Sequence, residues 1–210
     1  MEMLKAGLFY HVYNRGINSE NIFWSDKDFR RFLNRLFYYL YPCAEIYSYC
    51  LLKNHFHILL RIRSNKEQEL LFKSLKAKFD SDSFHGINFQ NFKVYRASSQ
   101  MGHLLNSHTK YINTSKSRTG DLFEGRFKRI VIDSDLYLSQ IICYIHRNPI
   151  HHRIVSKYEE YAYSSYKELM SESSFLLSRS RVMEIFGTKE NYVMAHNEFK
   201  RLLGDEYWLE

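Results

Sequence analysis

The chain has 210 residues, 45% of them hydrophobic and 25% charged, and its 30 Lys and Arg outnumber 23 Asp and Glu for a net charge of +7. That length supports one domain, or one domain with an appendage, around a core large enough to need neither metal nor disulfide for folding. No apolar run is long enough to cross a bilayer, which argues against a membrane protein.

The N-terminus interrupts its apolar residues with Glu2 and His11, so it does not read as a secretory signal and a cytoplasmic location is expected. Cys43, Cys50 and Cys143 sit among apolar neighbours with no CxxC pair, as buried free thiols do in a reducing compartment. The positive charge favours a polyanionic partner. Seventeen Tyr, 16 Phe and 2 Trp offer flat surfaces on which unpaired bases stack, although most must be core.

In chain order, FYHVYN (residues 9 to 14) alternates like a strand and breaks at Arg15-Gly16. Asp26 is placed to cap a helix from Lys27 to Tyr41, whose apolar residues recur at helical spacing until Pro42. Ala44 to Leu52 and His55 to Ile62 are β-prone runs joined at Lys53-Asn54, a hairpin expected at the sheet centre. Lys66 to Phe79 predicts a second helix packed on the sheet, 80 to 92 a polar connection, and Met101 to Thr114 a further helix.

Gly125 to Ile132 predicts a strand that opens with a basic cluster. Asp133 or Ser134 is expected to cap a helix ending near Arg147, because Pro149 disfavours helical backbone at Asn148. A loop and a helical tail follow. The order defines an α+β sandwich of ferredoxin/RRM-like type, helices on a central antiparallel sheet, with a domain over 1–170 and a helical tail over 171–210.

Two local patterns carry chemistry. In Asn54-His55-Phe56-His57 both imidazoles point to one strand face and Phe56 to the other; such a pair can share a divalent ion or merely sit on a solvated face. In the later helix, Tyr137, Gln140, Tyr144 and Asn148 line one stripe. A tyrosine hydroxyl with a pKa near 10 is a poor nucleophile unless a cation or base assists it. A metal on His55 and His57, with the Asn148 amide oxygen as third ligand, would supply that help, and the set is compatible with Mg²⁺ or Mn²⁺. Spacing alone leaves Tyr137 open beside Tyr144.

Five stretches appear in order: Tyr10-His11-Val12 with Asn14-Arg15-Gly16, residues 49 to 57 (YCLLKNHFH), 122 to 128 (LFEGRFK), 144 to 149 (YIHRNP) and 163 to 166 (YSSY). On these the chain resembles the HUH single-tyrosine transposases, in the REP-associated tyrosine transposase branch. The resemblance places the HUH element on His55-Phe56-His57 on a central strand, the catalytic tyrosine on Tyr144 in a helix and the helix-borne metal ligand on Asn148. It implies cleavage and rejoining of single-stranded DNA through a 5′-phosphotyrosine, recognition of a DNA hairpin, and either a monomer or a homodimer.

Asp121 and Glu124 depart from the glycine-rich segment usual in that family. Arg15, Lys53, Arg126, Lys128 and Arg129 are candidates for DNA backbone contacts, with surface solubility an equal account of any one. The competing readings are a non-catalytic single-stranded nucleic-acid-binding module and a metal-dependent nuclease that uses water.

Overall fold

β1 (Phe9–Arg15) and β3 (His55–Ile62) form the middle of a four-stranded antiparallel sheet, with β2 (Ala44–Leu51) outside β3 and β6 (Lys128–Ile132) outside β1. The computed structural model describes residues 4–78, 83–84, 87–88, 92–171 and 177–202. Parts of the 80–92 connection and of the tail lie outside them. The hairpin expected at the centre therefore lies half there: β3 is central and β2 is an outer strand. Local alternation defines a hairpin, but which of its strands meets β1 is decided by pairing across the sheet.

β3 is buried on both faces, as its unbroken HFHILL run requires. Phe56, Ile58 and Leu60 face α1 (Asp26–Leu40) and α3 (Ala97–Ser115). Phe32 of α1 lies 5.4 Å from Phe56, ring to ring, and packs on His108 of α3 at 5.0 Å. Truncating a ring as buried as Phe56 costs about 3–5 kcal/mol. The residue that caps α1 is Ser25 rather than Asp26, and the Asp28 carboxylate closes the turn by accepting the Trp24 and Ser25 amides at 2.9 Å each.

α2 (Asn65–Lys78) does not pack on the sheet as expected. Its buried Phe72 and Leu75 form a satellite cluster with Ile87 of β5 (Ile87–Asn88), which pairs with β4 (Ser83–Phe84). α3, which starts at Ala97, takes the place beside α1, and β6 starts at Lys128, after Gly125 bends the chain at φ 68°.

α4 (Asp135–His151) lies across the opposite, histidine-bearing face. Ser134 caps it, accepting from the Tyr137 amide at 3.2 Å. The helix runs past Arg147 and through Pro149, contrary to the sequence expectation. The missing proline N–H falls in the last turn, so it removes a single ladder bond, and burial of Pro149 and of Ile141, Ile142 and Ile145 offsets that loss. α5 (Tyr166–Met170), α6 (Arg179–Phe186) and α7 (Lys189–Leu202) follow. Val182, Phe186, Tyr192 and Phe199 join the same core as the sheet.

Two of the sequence stretches have structural roles here. A Cβ on Gly16 would collide with the Glu20 carbonyl oxygen, so only glycine fits where the chain leaves β1. The 163–166 stretch seals the edge of β2: the Leu51 amide donates to the Tyr163 carbonyl at 2.9 Å and the Ser165 amide to the Tyr49 carbonyl at 3.0 Å. Among the described residues no helix is long and apolar enough to cross a membrane.

Candidate active site

Period-two alternation puts His55 and His57 on the α4 side of the sheet, with ring centroids 5.2 Å apart. Each ring is held through Nδ1. His55 Nδ1 donates to the Asn54 side-chain oxygen at 2.7 Å, which leaves the lone pair on Nε2. His57 Nδ1 is bonded to His11 Nε2 at 3.0 Å. His57 Nε2 is buried with no hydrogen-bond partner among the described residues. When His57 donates to His11, that nitrogen carries a lone pair ready for an electrophile.

α4 lays one stripe over this pair. The Tyr144 ring stands edge-on to His57 at 5.7 Å and to His11 at 5.8 Å, and the His152 ring is 4.9 Å from that of His55. Asn148, midway along that stripe, occupies the turn between. Its Nδ2 donates to the Tyr144 carbonyl at 3.0 Å, and its Oδ1 is buried without a hydrogen-bond partner among the described residues. Tyr137 is two turns away, about 10 Å along the axis, so Tyr144 is the tyrosine set against the histidines. It meets those of its own chain.

Burial sets the electrostatics. Desolvation holds His57 far below the ordinary imidazole range, reinforced by the neighbouring His11 and His55, and desolvation lowers His11 to about 3. Both rings are therefore neutral at physiological pH, the form in which imidazole binds a metal. Among the described residues no three His, Cys, Asp or Glu side chains gather into a metal site by themselves. A third protein ligand would come from an amide, and Asn148 Oδ1 is a buried amide acceptor on the α4 stripe that faces the histidines. Two imidazole nitrogens and one amide oxygen thus fit a divalent ion on their chemistry.

A pocket of about 30 Å³ opens beside His55 and His57, bounded by Tyr13, Arg15 and Lys128. It has room for an ion or water and not for a nucleotide. Register explains the cations: Lys128 pairs with Tyr13 and shares the histidine face, whereas Arg129 pairs with Val12 and points away. Arg126 is exposed just ahead of β6, and Lys53 lines a separate cavity that reaches His55. Of the five basic candidates, Arg15 and Lys128 are grouped with the histidines.

His11 has no second histidine at ligand spacing within its own stretch of sequence. It is fully buried and supports His57. Its alternation with Tyr13 placed it on one face of β1, but its partner became visible only through the β1–β3 register. The far side of α4 is also polar. His146 bonds His196 of α7 at 2.8 Å and the Ser165 hydroxyl at 2.7 Å, while Arg147 donates to the Phe199 carbonyl at 3.0 Å.

No protein-family model matches the sequence, and no curated protein matches it. Among solved structures, the fold is similar to that of a REP-associated tyrosine transposase bound to a REP hairpin. The TM-score is 0.57 at 13% identity, covering 82% of this chain and 84% of that one. A bacterial tRNA(His) guanylyltransferase-like protein in complex with ATP overlaps at a TM-score of 0.39 and 10% identity, over 90% of this chain and 75% of that one, too slight a likeness to bear on function. The class these findings define is the α+β fold that the transposase neighbour shares: a four-stranded antiparallel sheet with helices packed on it.

Proposed function

We propose that the protein is a single-strand DNA transposase or endonuclease of the HUH single-tyrosine type, in the REP-associated branch. In this reading it cleaves and rejoins DNA through a 5′-phosphotyrosine. The observation that carries the reading is the Tyr144 ring set edge-on against His57, with His57 Nε2 and Asn148 Oδ1 buried and lacking hydrogen-bond partners beside it. Buried polar atoms without partners are costly and mark places where a ligand completes the site.

His55, His57 and Asn148 would hold Mg²⁺ or Mn²⁺. Such an ion, when bound, supplies Lewis acidity that polarises a phosphate and favours the tyrosinate. Arg15 and Lys128 neutralise the phosphate backbone at the mouth of the cleft. Tyr144 Oη then bonds to phosphorus as the bond from phosphorus to the 3′ oxygen breaks. The tyrosine proton is lost to solvent, and the departing oxygen takes one up to become a 3′-OH. Attack by a 3′-OH on the phosphotyrosine reverses the exchange without an external energy source. Because Tyr144 meets the histidines of its own chain, one chain can assemble the site.

Labelled single-stranded hairpin DNAs, incubated with either metal, test this on a denaturing gel. The reading expects a metal-dependent covalent protein–DNA band that vanishes in Tyr144→Phe. Metal-dependent cutting that survives the substitution contradicts it and favours water as nucleophile. DNA binding across the panel without cutting or adduct favours a binding module.

A further inference from the structure

A cavity of about 390 Å³ lies next to the histidine cleft, and His55 lines both. Trp24, Phe29, Tyr161, Tyr163 and Ile154 line it. Trp24 is 37% exposed and Ile154 50%. Large apolar side chains left in solvent and converging on one cavity from separate segments mark a binding surface.

The walls are fixed in advance. The Ile22 and Phe23 amides donate to the Lys53 carbonyl at 2.7 and 2.9 Å, and the Tyr161 hydroxyl donates to the Leu51 carbonyl at 2.7 Å. The Phe29 and Tyr163 rings stack at 3.9 Å with an interplanar angle of 7°. Asp26 also lines the cavity, but the Tyr163 hydroxyl engages its carboxylate. Positive charge comes from Lys53 and from Lys116, whose ammonium sits 5.8 Å from the centre of the Trp24 ring.

We propose that this cavity receives one unpaired nucleobase of single-stranded DNA, from a nucleotide next to the phosphate at the histidine cleft. The inference rests on the reading of the Tyr144 site as a DNA-cleaving one. The exposed Trp24 indole, backed by a Phe29 ring already stacked between Phe23 and Tyr163 and with Lys53 and Lys116 nearby, matches a π-face joined to a phosphate. Continuity through His55 puts base and scissile phosphate within one nucleotide of each other. A base stacked inside a duplex cannot enter such a cavity, so the cavity selects for unpaired strand beside the cut.

The test uses the full chain with Tyr144→Phe, and with Trp208→Phe so that Trp24 is the sole indole. EDTA is present so that binding is read apart from chemistry. Trp24 emission is followed as a randomised single-stranded pool, dA, dC and dT homopolymers, and an abasic strand of equal length are added. Base-bearing strands should quench Trp24 and bind about tenfold or more tighter than the abasic strand. Followed instead by the anisotropy of a dye-labelled strand, which needs no indole, Trp24→Ala should erase most of that difference and Trp24→Phe, which keeps a flat ring, should restore part of it.

Equal binding of abasic and base-bearing strands, or Trp24 emission indifferent to every base-bearing strand, overturns the proposal. A wild-type Tyr144 adduct with no base dependence removes the cavity's role and leaves the cleavage reading standing. Base-dependent quenching without any adduct in the wild type does the reverse.

Discussion

The two sides of α4 are both buried and both polar, and they solve opposite problems. Toward α7 and the β2 edge, His146 bonds His196 and Ser165, and Ser165 in turn accepts from the Tyr49 amide at 2.9 Å. Toward the histidines of β1 and β3, His57 Nε2 and Asn148 Oδ1 lie at the same depth with no hydrogen-bond partner among the described residues. A satisfied buried network fixes a helix in place; buried acceptors without donors leave stability aside in favour of something that binds. The outer side latches α4 to α7 and β2, while the inner side keeps acceptors that no donor among the described residues meets.

Substitutions on each side should separate these roles. Asn148→Leu should remove metal-dependent adduct formation by about a hundredfold or more, since even residues one shell out from a metal are worth 10–100-fold. It should still melt within about 1 kcal/mol of wild type, because the lost acceptor had no partner to leave behind and the one bond given up, from Nδ2 to the Tyr144 carbonyl, is offset by burying an apolar side chain. His196→Ala should instead cost about 2–4 kcal/mol in denaturant unfolding, by opening a cavity and taking away the shorter of the two hydrogen bonds at His146 Nδ1. If Asn148→Leu unfolds the protein and His196→Ala does not, the assignment of the two sides is inverted.

Acid should act on both sides at once. Burial lowers His11 to about 3 and His108 and His196 to about 4, and holds His57 and His146 well below the usual value. The unfolded chain takes up these protons below about 6.5 while the folded chain does not. The contribution is therefore fully present above pH 6.5 and is lost as pH falls toward the folded values. Each such histidine contributes about 1.4 kcal/mol per pH unit to the decline. Melting temperatures between pH 7 and pH 5 should drop steeply, and a flat profile would mean that these rings are not held neutral.

The smallest expected effect concerns β6. Lys128→Ala, on the histidine face, should weaken DNA binding and lower the salt slope by about 1. Arg129→Ala, one residue on and facing away, should change both less. Equal effects would mean that DNA does not approach along the cleft.

How much of this was legible follows from what each feature depends on. β1, α1, β3 and α4 were readable because alternation or helical spacing is written within each segment. The HxH face and the Tyr144–Asn148 step are likewise local. Pro149 misled because propensity was set against a whole helix, when the proline acts only on its last turn and is buried there. α2 misled because its pattern shows that it has an apolar side without showing what that side meets.

The supports were out of reach. His11 and His57 are 46 residues apart and His146 and His196 are 50 apart, so neither pair has any trace in local spacing. The Trp24 cavity assembles from several separated segments for the same reason.

The most direct measurement is to trap the protein–DNA product, digest it and locate the nucleotide by peptide mass spectrometry. The account predicts a 5′-phosphate on Tyr144, within the peptide from the middle of α4. A nucleotide on Tyr137, or cut DNA with no modified peptide, would contradict it.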